Sequence, residues 1–239
     1  MEIYCWNITD INLLSRVERL LPLIGKVKRD RIAKAKHPET ALQMLAADLL
    51  LRYVLLEKFD LSHTECRIAA DEFGKPYLLT QGDIHFNISH SQKWVGCVVD
   101  HEPVGIDVES VRSVDLDGIA RYFSTVEQEW LYSIEPHKRL NAFYELWTCK
   151  ESYLKALGKG LSIPLKSFSI LLHRNGTVSI IPCKEDNRKR WLRNYSNGSE
   201  MKLAVCASQP VFPSNVTQAH TESLVGKMES ILAQFGEVE

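Results

Sequence analysis

No two cysteines in this 239-residue chain are spaced Cys-x-x-Cys. The six that occur (Cys5, Cys66, Cys97, Cys149, Cys183 and Cys206) are scattered along it. Dispersed thiols of this kind make neither a disulfide framework nor a zinc ribbon, and they read as reduced, intracellular cysteines. Neither sign of charge prevails: 29 Lys and Arg stand against 30 Asp and Glu, a net charge of −1. That balance gives no bulk electrostatic case for nucleic acid or a membrane surface as partner. No apolar run approaches the roughly 18 residues that a membrane span needs. The opening Met-Glu-Ile-Tyr-Cys-Trp has neither the basic start nor the apolar core of a signal peptide. The expectation is a soluble, cytoplasmic protein. There is no internal sequence repeat and no low-complexity tract. What is present is an ordinary globular composition, 45% hydrophobic and 25% charged. It suffices for one large domain or two small ones.

Residues 104–109, Val-Gly-Ile-Asp-Val-Glu, carry the first chemical signal. On a strand, Asp107 and Glu109 share a face because successive side chains alternate. Like charges that close resist ionisation together, so the pair calls for something positive. Upstream, residues 94–99 read as a strand and Asp100-His101-Glu102-Pro103 as a turn, which predicts a hairpin over 94–109.

The rest of the chain divides by periodicity. Residues 2–7 read as a short strand. Residues 10–21 repeat apolar groups at helical spacing behind an Asp10 cap, and residues 38–59 do so behind Pro38. Between them, Lys26, Lys28, Arg29, Arg31, Lys34 and Lys36 meet a single acid, Asp30. Such a run is either a solvated helix face or an anion site, because helical spacing aims Lys28 and Arg31 the same way. Phe73-Gly74-Lys75-Pro76-Tyr77 reads as a turn. Residues 84–91 alternate as a strand, with Ile84, Phe86 and Ile88 on one face and His85, Asn87 and Ser89 on the other. Ser89, His90 and Ser91 end it with groups able to hold phosphate oxygens. Ser89 and His90 point to opposite faces, so they do not make a nucleophile–base pair.

Ser124-Thr125-Val126-Glu127 fits a capping box, which makes Glu127 structural. A long helix follows over 138–157, stopped by Gly158. Trp147, Glu151 and Lys155 fall along one side of it. Asn175-Gly176 marks a hairpin between residues 167–173 and 177–182. A strand follows at 201–207. Leu224, Met228, Ile231, Leu232 and Phe235 then predict a terminal amphipathic helix.

Three stretches together resemble the Sfp-type 4′-phosphopantetheinyl transferases. They are Phe73-Gly74-Lys75-Pro76-Tyr77 with Phe86-Asn87-Ile88-Ser89-His90-Ser91, then residues 104–109, then residues 146–161 (Leu-Trp-Thr-Cys-Lys-Glu-Ser-Tyr-Leu-Lys-Ala-Leu-Gly-Lys-Gly-Leu). The resemblance runs from residue 2 to about residue 210. It implies an α+β fold of two similar halves with pseudo-two-fold symmetry and the active site in the cleft between them. The halves would be 1–102, with the nucleotide contacts, and 103–210, with the metal and catalytic residues; 211–239 would be an extension.

The implied reaction moves 4′-phosphopantetheine from coenzyme A to a serine of an apo peptidyl or acyl carrier domain. The implied metal ligands are Asp107, Glu109 and Glu151, for Mg²⁺ with Mn²⁺ as the alternative. An all-oxygen set beside a diphosphate suits such a hard ion. Glu151 and Lys155 would be catalytic. Lys28, Arg31, Lys75, Pro76, Ser89, His90 and Lys155 would contact coenzyme A. One departure stands out: Gln43 lies where the family often carries a basic residue for the 3′-phosphate. Carrier recognition is expected between Glu109 and Phe123 and from Gly158 into the following hairpin. A monomer is expected, since two fused halves already make the cleft. Two other readings explain the same acids: a non-catalytic module that holds coenzyme A or a carrier domain, and a metal-dependent phosphohydrolase.

Overall fold

Strand alternation sorts the side chains of this protein into three apolar layers. The computed structural model describes residues 1–10, 13–79, 82–197 and 200–236. Its first half runs β1 (Glu2–Asn7), α1 (Leu13–Glu18), α2 (Lys26–Ala33), α3 (Pro38–Lys58), β2 (Ile68–Ala70), β3 (Pro76–Leu78), β4 (His85–Ser91) and β5 (Trp94–Asp100). The second runs β6 (Val104–Ser110), α4 (Leu116–Ala120), α5 (Thr125–Ser133), α6 (Pro136–Leu157), β7 (Ser169–Leu172), β8 (Val178–Ile181), β9 (Trp191–Asn197) and β10 (Met201–Ala207). β11 (Thr217–Gln218) and α7 (Thr221–Gly236) close the chain.

The element order repeats. β1, α3, the β2–β3 pair, β4 and β5 are followed by β6, α6, the β7–β8 pair, β9 and β10. Each half forms a sheet with its last strand in the middle, β1-β5-β4 and β6-β10-β9. The fold is α+β, in two halves that share topology without sharing sequence.

The layers follow from the pleat. Tyr4, Trp6, Val95, Cys97 and Val99 pack on α3. Their neighbours Ile3, Cys5, Trp94 and Val98 face the other way and meet Val104, Ile106, Val108, Leu203 and Val205 of the second sheet. Ala204 and Cys206 on the far side meet Leu146, Cys149 and Tyr153 of α6. The order is helix, sheet, sheet, helix.

The expected hairpin over 94–109 does not form. β5 pairs with β1 and β4, whereas β6 pairs with β10. The Asp100–Pro103 turn carries the chain from one sheet to the other, so that Val98 and Ile106 share the layer between them. Two apolar strands joined by four residues can lie side by side or stack, and their pattern is the same in both cases. The turn over 73–77 is correct but opens a strand, β3, that pairs with β2. β9 carries too little apolar alternation to be read from the sequence.

The long helix begins at Pro136 and ends at Gly158, whose left-handed φ of 76° suits glycine. The capping box is present, with Ser124 and Glu127 satisfying each other's backbone. Of the expected first helix, Ile11 and Asn12 lie outside the described residues, as does the side chain of Phe235 on α7. The tail folds back on the first half: β11 pairs with β1 in parallel, and Leu224, Val225, Met228 and Ile231 enter the α3 core.

Candidate active site

Gly105 decides how close α6 comes to β6. A Cβ there would fall on the backbone of Ser152 and Ala156. The same strand face carries Asp107 and Glu109, so bare backbone at Gly105 lets the helix lay Trp147, Glu151 and Lys155 beside both acids. The Lys155 Nζ donates to Asp107 Oδ1 at 2.7 Å and to Ser89 Oγ at 2.8 Å. Ser89 Oγ in turn donates to the same Asp107 oxygen at 2.9 Å. Three elements, β4, β6 and α6, therefore meet at one ammonium group.

Each of the three acids is held above the usual carboxylate range. Burial is the largest cause for Asp107, opposed by Lys155 and Ser89. Burial and then the charge of Asp107 raise Glu109, while Ser91, Lys155 and Trp147 pull it down. Burial and Asp107 raise Glu151 in the same way. The acids feel one another, which is the situation a cation relieves. Asp107 Oδ2 is buried and has no hydrogen-bond partner among the described residues. Among those residues, no three ligating side chains close into a cage around a point. A set left open still suits Mg²⁺, which takes one or two carboxylates and keeps its remaining positions for waters and substrate phosphates.

Beside the acids opens a cleft of about 1360 Å³. Lys28, Arg31, Pro76, Ser89, His90 and Lys155 all line it. Burial, and then the nearby Arg31 charge, lowers the pKa of Lys28, with Asp48 opposing. Burial against the cleft wall, and then the charges of Lys155 and Lys28, lower the pKa of His90, although the residue is exposed at the surface. The wall is thus rich in positive charge, with Ser89 and His90 next to it.

One expected contact, Lys75, stands apart, and so does Gln43, the departure from the family pattern. The Lys75 ammonium donates to Lys155 O at 2.6 Å and to Val104 O at 3.4 Å. It lines a neighbouring cavity of about 440 Å³, and burial lowers its pKa to about 8. It ties down a carbonyl in the last turn of α6, where a cation is favoured. Gln43 lies off the cleft wall and donates to Gln92 O at 2.8 Å.

Other groups escaped the sequence reading. Asp48 and Arg52 form a buried pair at 2.6 Å in the cleft wall. An acid and a base four apart in the apolar run of α3 was the signal for it. Lys150 donates to both Glu127 oxygens, at 2.6 and 2.7 Å, and both side chains are fully buried.

Two family models match the chain one after the other: "4′-phosphopantetheinyl transferase, N-terminal" over residues 9–102, and the 4′-phosphopantetheinyl transferase superfamily over 103–206. The chain belongs to the 4′-phosphopantetheinyl transferase superfamily. The transferase is 38% identical over 208 residues to 4′-phosphopantetheinyl transferase Sfp of Bacillus subtilis, covering 87% of this chain and 92% of that one. It is 30% identical to 4′-phosphopantetheinyl transferase psf-1 of Bacillus pumilus, over 93% of this chain and 95% of that one. A holo-(acyl-carrier-protein) synthase of Bacillus anthracis, solved with CoA, matches at 17% identity and a TM-score of 0.39, over 44% of this chain and 93% of that one. That likeness is too slight to carry an argument. No described helix of the transferase is long and apolar enough to cross a membrane.

Proposed function

We propose that the cleft binds coenzyme A with its diphosphate at Lys155, and that a serine hydroxyl of an apo peptidyl or acyl carrier domain attacks the β-phosphorus there. The serine oxygen–phosphorus bond forms as the bond to adenosine 3′,5′-bisphosphate breaks, and the serine proton passes to Glu151. The observation that supports this most is the Lys155 ammonium bridging Ser89 on the nucleotide side to Asp107 on the acid side.

Lys28 and Arg31 supply charge for the nucleotide phosphates, and Pro76, Ser89 and His90 shape and polarise the adjoining wall. Lys75 acts through its turn and by holding the end of α6, since its ammonium is committed to backbone carbonyls. Asp107, Glu109 and Glu151 would hold Mg²⁺, or Mn²⁺, and such an ion neutralises diphosphate charge. Asp107 Oδ2 is the oxygen in need of that partner. Lys155 places a second positive charge where negative charge builds up during transfer, which is where a fixed charge accelerates a reaction most. The cleft is lined from both halves of the fold, Lys28 and Lys155 among them, which supports a monomer as the working unit, and we place it in the cytoplasm.

Intact-mass measurement of an apo carrier domain tests this. With coenzyme A, Mg²⁺ and wild-type transferase, the carrier gains one phosphopantetheine. Asp107→Asn abolishes nearly all of that gain while the fold persists, and chelating the metal does the same. Full labelling by Asp107→Asn would sink the site assignment. Coenzyme A binding with no gain on any carrier would favour a binding module instead.

A further inference from the structure

Asn87 and Ser91 flank Ser89 on the same face of β4, and neither lines the cleft. Both reach across to the second half. β6 pairs with β10 along one edge only, which leaves its other edge open. Asn87 Oδ1 accepts the Ile106 N–H on that edge at 2.9 Å. Ser91 Oγ accepts the Ser110 N–H at 3.2 Å, and Ser110 Oγ donates to Ser91 O at 3.1 Å. Side chains of one strand thus stand in for the backbone partner that the other lacks. Asn87 and Ser91 are four residues apart, as are Ile106 and Ser110, and this match fixes the register, so that Ser89 falls opposite Asp107 and Ser91 opposite Glu109.

The direction of each bond at Ser91 follows from proton counting. Its oxygen receives the Ser110 N–H, so its single proton is free to point elsewhere. That proton goes to Glu109 Oε2, 2.6 Å away. Ser91 is therefore a donor of fixed direction, anchored to one half by its own strand and to the other by Ser110.

We propose that Ser91 is a positioning residue of the transfer reaction. Its hydroxyl holds the Glu109 carboxylate in the orientation that a divalent cation needs, and with Asn87 it aligns the acid face with the nucleotide face. The proposal rests on the reading of Glu109 as a cation ligand. Outer partners of metal ligands act in this way, and their loss typically weakens metal affinity about 10- to 100-fold.

Mn²⁺ serves as the probe, with bound and free ion separated by electron paramagnetic resonance in the presence of coenzyme A. Four full-length proteins are compared: wild type, Ser91→Ala, Ser91→Thr and Glu109→Gln. The expected result is Mn²⁺ binding by wild type, little by Glu109→Gln, and binding weaker by about 10- to 100-fold in Ser91→Ala. Metal-free coenzyme A affinity and the unfolding midpoint of Ser91→Ala stay near wild type, and Ser91→Thr, which keeps the hydroxyl, recovers most of the affinity. Unchanged Mn²⁺ affinity in Ser91→Ala beside a weakened Glu109→Gln overturns the proposal alone. Parallel loss of stability, coenzyme A and Mn²⁺ affinity, with no rescue by Thr, also overturns it, since Ser91 is then merely structural. Wild-type affinity in Glu109→Gln removes the ligand reading and the proposal together.

Discussion

Lys150 and Glu151 are adjacent in sequence and opposite in fate. Glu151 turns to the cleft acids, while Lys150 is sealed in the core on Glu127 and the Phe168 carbonyl, at 3.1 Å. Removing one member of a buried pair strands the other, at a cost of about 3–5 kcal/mol. Lys150→Met is expected to lose stability of that order in urea unfolding; a loss near zero would contradict the packing described. His63 offers a pH test. Burial, and then the Arg52 charge, lowers its pKa from 6.5 to about 4. Between those values the unfolded chain holds the extra proton, so the stability His63 contributes is full above pH 6.5 and is lost as the pH falls through 4. His63→Gln is expected to flatten the fall of the melting temperature over that range. Strand spacing made the Asp107–Glu109 face legible and helix spacing the Glu151–Lys155 side, whereas the joining of the two came from the family resemblance. The commitments of Lys75 and Ser91 were not, because carbonyl and carboxylate partners distant in sequence decide them.

At the scale of elements, the α6–β6 contact is what turns two separate motifs into one site. Gly105→Ala adds a methyl group against helix backbone that has no side chain to swing aside. Overpacking of this kind costs about 1–3 kcal/mol. Transfer activity is expected to fall by more than the loss of stability accounts for, because Glu151 and Lys155 move away with the helix; wild-type turnover in a folded Gly105→Ala protein would contradict this. The end of α6 could be read from the sequence, since Gly158 acts locally, whereas its start was placed at residue 138, two residues past Pro136. The partner of β6 could not. Val104, Ile106 and Val108 show that one face is buried, but nothing local says whether the neighbour lies beside the strand or above it.

For the whole molecule, the repeat of strand, long helix, hairpin and two strands places one open strand edge, that of β6, against the polar face of β4. The sequence carries no trace of the repeat, because each half retains only its apolar pattern. The tail was legible as an amphipathic helix, but its docking site was not. Leu224, Val225 and Met228 are fully buried against the first half. Side chains buried to that extent contribute about 1.5–3 kcal/mol each, an upper figure that still makes the tail a large share of a domain's stability. A chain ending at Phe212 is expected to unfold at much lower urea than the full chain; an unchanged midpoint would make the tail an appendage.

If Glu151 serves the transfer step and not the hold on coenzyme A, binding and transfer separate when it is replaced. The most direct measurement pairs calorimetric titration of Glu151→Gln with metal-free coenzyme A and intact-mass assay of carrier labelling by the same protein. The predicted result is coenzyme A affinity close to wild type with almost no phosphopantetheine transferred. Wild-type labelling by Glu151→Gln would contradict it.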